Sequence, residues 1–292
     1  MRTRTSVLSK LKINMKTQTL RQFHWNLAKF DLRYFISTRF LGYPFELKTW
    51  IDNYFAPASA PDQKLVIFST GRSGSTLLVE LLNCYPSVHC DAELLKRKLV
   101  DPFKLIEARA GITNADIYGF KLLSYQLRDI QTSIQDKKAF LNELHNKGYK
   151  TIYLYRENKL LQSISVIRAM TQCKWHSNKV QSSSNKKITL DIEVLKKTLK
   201  GLESLAIFEQ KMLEDIPHLS LCYEYDLKDQ FSRELTMQKL GDFLNQDYVT
   251  PKNKLKKLNR GHLSDYIHNW DEVLQFLKSS KYAHYLDSAL IH

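Results

Sequence analysis

From Leu65 onward, short apolar runs rich in β-branched and aromatic residues alternate with longer stretches whose apolar residues recur every three or four positions. The first pattern predicts buried strands and the second predicts amphipathic helices. On this basis the sequence predicts strands at 65–69, 118–123, 150–155 and 219–223. Helices are predicted at 75–84, 93–108, 136–147, 158–172, 191–214 and 232–245, with a C-terminal helix near 263–279. A polar loop is expected at 174–187. Residues 22–55 carry eleven Phe, Tyr and Trp side chains and are expected to form one or two helices packed on the core. A Pro-bearing linker at 56–62 joins them to the rest. The alternation implies an α/β fold with a mainly parallel sheet covered by helices on both faces, and ligands at the strands' carboxyl edge. The expected organisation is a basic, aromatic-rich N-terminal extension over 1–60 and one main domain over 61–292. There is no internal repeat.

The run Lys64-Leu65-Val66-Ile67-Phe68-Ser69-Thr70-Gly71-Arg72-Ser73-Gly74-Ser75-Thr76-Leu77-Leu78 reads as strand, tight turn and apolar helix. Such a turn aims backbone N–H groups and a helix dipole at one point and so forms an anion cradle, which makes the sheet P-loop-type. The ATP-binding form G-x-x-x-x-G-K-[ST] places a Lys on the outer phosphates and a hydroxyl on magnesium. Here Ser75 stands at the Lys position and Ser69 at the first Gly position, while a cation comes earlier as Arg72. The loop suits a nucleotide phosphate that is not part of a metal-bridged triphosphate. A second strand, over 150–155, delivers Arg156 to the same edge, followed by a helix carrying Ser163 and Ser165.

Residues 72–78, Arg-Ser-Gly-Ser-Thr-Leu-Leu, resemble the 5′-phosphosulfate loop of sulfotransferases that use 3′-phosphoadenosine-5′-phosphosulfate (PAPS). The likeness is to the bacterial carbohydrate branch, whose members act on trehalose and nodulation factors. It implies that Gly71, Arg72, Ser73, Gly74, Ser75, Thr76 and Leu77 hold the 5′ end of PAPS. It also implies that Arg156 and Ser165, or Ser163 as a fallback, hold the 3′-phosphate. A guanidinium suits that dianion because it donates two parallel bonds. Asp91-Ala92-Glu93-Leu94-Leu95 resembles the family segment whose Glu is the catalytic base. Tyr118-Gly119-Phe120-Lys121-Leu122-Leu123 resembles a strand with a Lys near the acceptor. Leu221 to Leu227 resembles a family strand end, with an extra Tyr between Glu224 and Asp226, and reads as a structural carboxylate cap. The resemblance spans about residues 64–275.

On this reading the chain transfers a sulfuryl group from PAPS to a hydroxyl of a carbohydrate or glycolipid, with Glu93 and Lys121 catalytic and no metal. Three other readings stay open for single residues. Arg156 could instead be a surface arginine paired with Glu157 or a neighbouring carboxylate. Glu93 could instead stabilise the first turn of helix 93–108, and Lys121 could simply extend its amine to solvent. His89, His176 and His262 show no metal-ligand spacing. Tyr153 and Tyr155 read as core rather than adenine-stacking.

Composition narrows the alternatives. The 292 residues are 43% hydrophobic and 25% charged, enough for one sizeable core and unlike a disordered chain. No apolar run approaches eighteen residues, so no transmembrane helix is expected. The cysteines Cys84, Cys90, Cys173 and Cys222 form no C-x-x-C pair and read as reduced thiols of a cytoplasmic, bacterial-type protein. The net charge of +14 is concentrated at the N-terminus, where residues 1–60 hold ten Lys/Arg against three Asp/Glu. That stretch fits a basic bacterial N-terminus better than a transit peptide. A second run, Lys252 to Arg260, holds five cations in nine residues. A P-loop nucleotide kinase or NTPase is the main alternative, weakened by the missing Gly-Lys-Ser/Thr. A basic nucleic-acid-binding protein is the third class, and nucleic acid is not the expected partner. The identity of the acceptor and the oligomeric state are not legible.

Overall fold

The computed structural model describes residues 42–56, 60–171, 187–251 and 262–286. The expected loop at 174–187, except its last residue, and the basic run 252–260 lie outside the described residues. So do Cys173, His176 and all of the N-terminal extension before residue 42. Five strands, β1 (Gln63–Ser69), β2 (Val88–Glu93), β3 (Ile117–Leu123), β4 (Tyr149–Tyr155) and β5 (His218–Cys222), form one sheet in the order β2-β3-β1-β4-β5. Every pairing is parallel. The α/β class, the parallel sheet and the helices on both faces are therefore as the sequence predicts.

Alternation within β1 explains the two faces. Val66 and Phe68 enter one apolar core with residues of α3 (Pro102–Gly111) and α4 (Lys137–Asn146). Leu65 and Ile67 enter the opposite core with α2 (Ser75–Leu82) and α7 (Gln230–Leu244). A third cluster joins α5 (Lys159–Thr171), α6 (Ile192–Leu213), α8 (Leu263–Tyr266) and α9 (Trp270–Lys278). Four helices start on an aspartate that accepts a first-turn N–H: Asp101 from Lys104, Asp136 from Ala139, Asp191 from Val194 and Asp229 from Ser232. The remaining helix, α1 (Gly42–Phe55), is fastened by Glu46, whose fully buried carboxylate accepts N–H bonds from Val100 and Asp101 at 3.0 Å.

Two predicted elements differ. The helix expected over 93–108 is strand β2 up to Glu93, then an irregular segment, then α3 from Pro102. The spacing of Leu94, Leu95 and Leu99 imitates a helix, but buried Gln131 holds this segment in another shape. Its amide donates to the carbonyls of Leu95 and Arg97 and accepts from the N–H of Leu99. Asp101-Pro102 was the overlooked signal, a cap followed by the residue that favours a helix's first position. The C-terminal helix is divided into α8 and α9 because Ile267 is extended and pairs with Ile188, whose N–H and C=O bond Tyr266 and His268. Asn269 adds a reciprocal amide pair with the backbone of Leu190.

Candidate active site

In the order β2-β3-β1-β4-β5, the connection after β1 runs toward β2 and the one after its neighbour β4 runs the other way toward β5, so a crevice opens at the carboxyl ends of β1 and β4. The phosphate-type loop follows β1, and Arg156 follows β4 by one residue. The topology thus places both predicted anion-holding motifs at the same switch point.

The loop is contorted where the sequence suggests. Arg72 has φ 63° and Gly74 φ 94°, so two left-handed residues flank Ser73. A non-glycine residue in that region stores about 1 kcal/mol of strain, which the surrounding contacts must offset. A Cβ on Gly74 would lie 2.6 Å from Cδ2 of Tyr223, so the glycine is required by conformation and by space. Ser73 Oγ donates to the Thr70 carbonyl at 2.8 Å and closes the turn. Gln162 of α5 donates to Thr70 Oγ1 and the Gly71 carbonyl at 2.7 and 2.8 Å, tying the loop to the helix after β4. Helix α2 starts at Ser75, and its first-turn N–H groups have no acceptor within the helix.

Arg72 reaches across to α5, where its Nε donates to Ser165 Oγ at 3.0 Å. Burial first, and then the nearby Arg156, hold its guanidinium below the usual arginine value. Two cations converging on one place suit a dianion between them. Arg156 donates from Nε to Glu224 Oε1 at 3.0 Å and lies over the Tyr223 ring at 4.7 Å. Its terminal nitrogens make no ion pair among the described residues, so Glu224 and Tyr223 orient the group without using its outer fork. Glu224 also accepts the N–H of Glu157. Ser163 is fully buried, and its hydroxyl has no hydrogen-bond partner among the described residues, whereas Ser165 meets Arg72. The structure therefore brings Arg72, Arg156 and Ser165 to one edge and leaves Ser163 inside.

On the other side of β1 a polar chain runs toward β2. Lys121 of β3, nearly buried, donates to Thr76 Oγ1 at 3.1 Å and pairs with Glu93 Oε1 at 3.1 Å. Gln126 donates to Glu93 Oε2 at 2.7 Å and accepts from the Leu123 N–H at 3.2 Å. Glu93 ends β2 beside Lys121 in the register, so the first-turn role considered for it is corrected, because no helix begins there. The solvent-reaching alternative for Lys121 fails for the same reason, since its amine points into this chain. His89 sits near the opposite end of β2 against Asp91, away from Glu93, and His262 precedes α8. Tyr153 is buried in the core and stacks on Tyr155 at 5.4 Å.

Local pattern does not disclose the contacts that Gln162, Gln126, Gln131, Tyr223 and Glu224 make here. Tyr223 and Glu224 lie in the 221–227 stretch whose carboxylate is expected to cap the next element; Asp226 instead accepts the Cys222 N–H at 2.6 Å, and the following helix is capped by Asp229. Among the described residues no cluster of His, Cys, Asp and Glu could hold a metal ion, and no helix is long and apolar enough to cross a membrane.

No family model matches the chain, and no curated protein matches its sequence. Among solved structures it is similar to a sulfotransferase from Alicyclobacillus acidocaldarius, with 11% identity over 78% of this chain and 93% of that one, and a TM-score of 0.45. It is also similar to a mouse sulfotransferase complexed with PAP, with 15% identity over 84% of this chain and 94% of that one, and a TM-score of 0.40. At such identities and scores the likeness assigns no residue a role.

Proposed function

We propose that the protein is a PAPS-dependent sulfotransferase that moves a sulfuryl group to a hydroxyl of a carbohydrate or glycolipid. One observation supports this reading above the others. Two anion-holding motifs and a carboxylate–ammonium pair converge on one sheet edge, with Lys121 linking the loop residue Thr76 to Glu93. The free cysteines Cys84, Cys90 and Cys222 accord with a reducing cytoplasm.

The residues divide the work by chemistry. Backbone N–H groups of 71–76 and the start of α2 would hold the 5′-phosphate, and Arg72, Ser165 and Arg156 the 3′-phosphate. In the transfer, the acceptor oxygen forms a bond to sulfur while the bond from sulfur to the bridging phosphate oxygen breaks, and the 3′,5′-bisphosphate PAP leaves. Glu93 takes the acceptor's proton, a role worth about 10²–10⁴-fold in rate. Lys121, between loop and base, faces the charge that gathers on the sulfuryl and leaving oxygens. The kinase reading needs a loop Lys and a hydroxyl directed to magnesium. Ser75 replaces the first, and Thr76 already accepts the ammonium of Lys121.

Calorimetry with PAP, with and without magnesium, tests the reading. PAP should bind with about micromolar affinity and no magnesium requirement. Magnesium-dependent ATP binding that outcompetes PAP would overturn it in favour of a P-loop kinase or NTPase.

A further inference from the structure

Helix α1 packs on α3 along one side. Glu46 accepts the amides of Val100 and Asp101, and the Lys104 ammonium lies 4.5 Å from the centre of the Trp50 ring. Asn53 approaches Gly111 so closely that a Cβ there would be 2.3 Å from its Oδ1. Glu46 and Thr49 are buried by this packing, and Trp50 is half-buried. At about 100° per residue, Leu47, Ile51, Tyr54 and Phe55 then fall on one stripe of the helix, turned away from α3.

That stripe is open to solvent. Leu47 is 41% exposed, Ile51 48%, Tyr54 81% and Phe55 79%. Of the eleven large apolar side chains exposed among the described residues, five lie on this fourteen-residue helix, Phe45 being the fifth. Scattered exposed apolar residues are ordinary, whereas a contiguous stripe marks an interaction surface.

Charge decides what the stripe meets. The two acids of α1 are engaged, Glu46 by backbone amides and Asp52 by Lys48 at 2.5 Å. Residues 1–41, which run directly into α1, hold nine Lys/Arg against one Asp. A second copy of the chain would bring two such stretches together and be repelled, whereas the same cations attract a surface of fixed negative charge. An apolar stripe that ends in aromatic residues beside concentrated cations suits the interface of an anionic bilayer.

We propose that α1 is a membrane-docking helix. Its Leu47, Ile51, Tyr54 and Phe55 stripe enters the boundary between headgroups and acyl chains of a bilayer that contains anionic lipid, and the cations of residues 1–41 supply the attraction. The surface lies outside the crevice, so the proposal stands whether or not the crevice binds PAP.

Co-sedimentation of the full chain with vesicles of phosphatidylcholine, with and without phosphatidylglycerol, tests it. Partitioning onto the anionic vesicles should be more than about tenfold stronger, and should weaken as salt is raised. The variant L47Q/I51Q/Y54Q/F55Q should lose about tenfold or more of that partitioning with its melting temperature and its mass in solution unchanged. The variant R2Q/R4Q/K10Q/K12Q/K16Q should lose most of the preference for phosphatidylglycerol. Absence of binding to the anionic vesicles, or native partitioning by the stripe variant, would overturn the proposal. So would a lower melting temperature or a smaller mass of the stripe variant, which would give the stripe to the chain's own residues 22–41 or to a second copy.

Discussion

On the β1/β4 side of the crevice, charges of like sign converge and side chains from α5 and the β5 end hold them in place. Arg72 and Arg156 meet there, fixed by Ser165, Gln162, Glu224 and Tyr223. On the β2/β3 side opposite charges are paired, Lys121 with Glu93, and the wall beyond is irregular backbone held by amide and carboxylate side chains. The first arrangement gathers positive charge, which suits an anion. The second is already neutral, one carboxylate against one ammonium. A nucleotide's phosphates and an acceptor's hydroxyl ask for those two kinds of environment.

The largest effect that would break this comparison is at Glu93. Glu93→Gln keeps the bond from Gln126 and the size of the side chain but cannot take the acceptor's proton. Turnover should fall by about 10²–10⁴-fold while PAP affinity changes little, and the melting temperature should fall because buried Lys121 loses its charge partner. A stable, PAP-binding variant with native turnover would reduce the pair with Lys121 to a structural one and leave the β2/β3 side without a base.

Arg156→Ala tests the other side. Removing a guanidinium from a dianionic phosphate should weaken PAP by about a hundredfold. Adenosine-5′-phosphosulfate, which lacks the 3′-phosphate, should lose far less. Equal losses for both ligands, measured by calorimetry, would move Arg156 away from the 3′ end and remove the reason for its convergence with Arg72.

The same contrast explains what the sequence could and could not disclose. The β1 loop and the β4 end are contiguous stretches in which strand, turn and helix follow one another, so Arg72, Gly74 and Arg156 stand out in local pattern, whereas Ser165 was singled out only through the family resemblance. Their mutual approach was not legible, because it depends on the strand order, which puts β4 beside β1. The β2/β3 side was harder. β2 is a six-residue edge strand carrying His, Asp and Glu, with only alternate positions buried, and it has no apolar run to reveal it. The leucines after it mimic a helix while their backbone is held by Gln131 and Glu46, residues 32 or more positions away from their partners. Glu93 was found through motif likeness, and its surroundings were misread because long-range side-chain bonds overrode the local period.

The smallest effect concerns a buried acid beneath the β1/β4 side. Glu209 of α6 is fully buried, accepts the Tyr153 hydroxyl proton at 3.1 Å and lies near Lys159, whose amine bonds the Arg156 carbonyl. Burial pushes its carboxyl up from 4.5 to about 7, the opposing pull of Lys159 notwithstanding. A carboxyl raised in the folded state binds its proton more tightly there than in the unfolded chain. Its contribution to stability is therefore fully present below about pH 4.5, is lost as pH rises toward about 7, and stays lost above. Glu209→Gln, neutral at every pH and still able to accept from Tyr153, should remove that dependence. It should leave the protein about 3 kcal/mol more stable than native at pH 8 and nearly unchanged at pH 4.5. Urea unfolding at the two pH values reads the difference. If the buried charge is only a structural burden, PAP affinity at pH 8 will match the native protein's. A fall in PAP affinity would show instead that ionised Glu209 holds Lys159, and through it Arg156, in the orientation the anion site needs, and the β1/β4 side would then rest on a paired charge as its neighbour does. A native-like pH profile in the variant would deny Glu209 any raised titration at all.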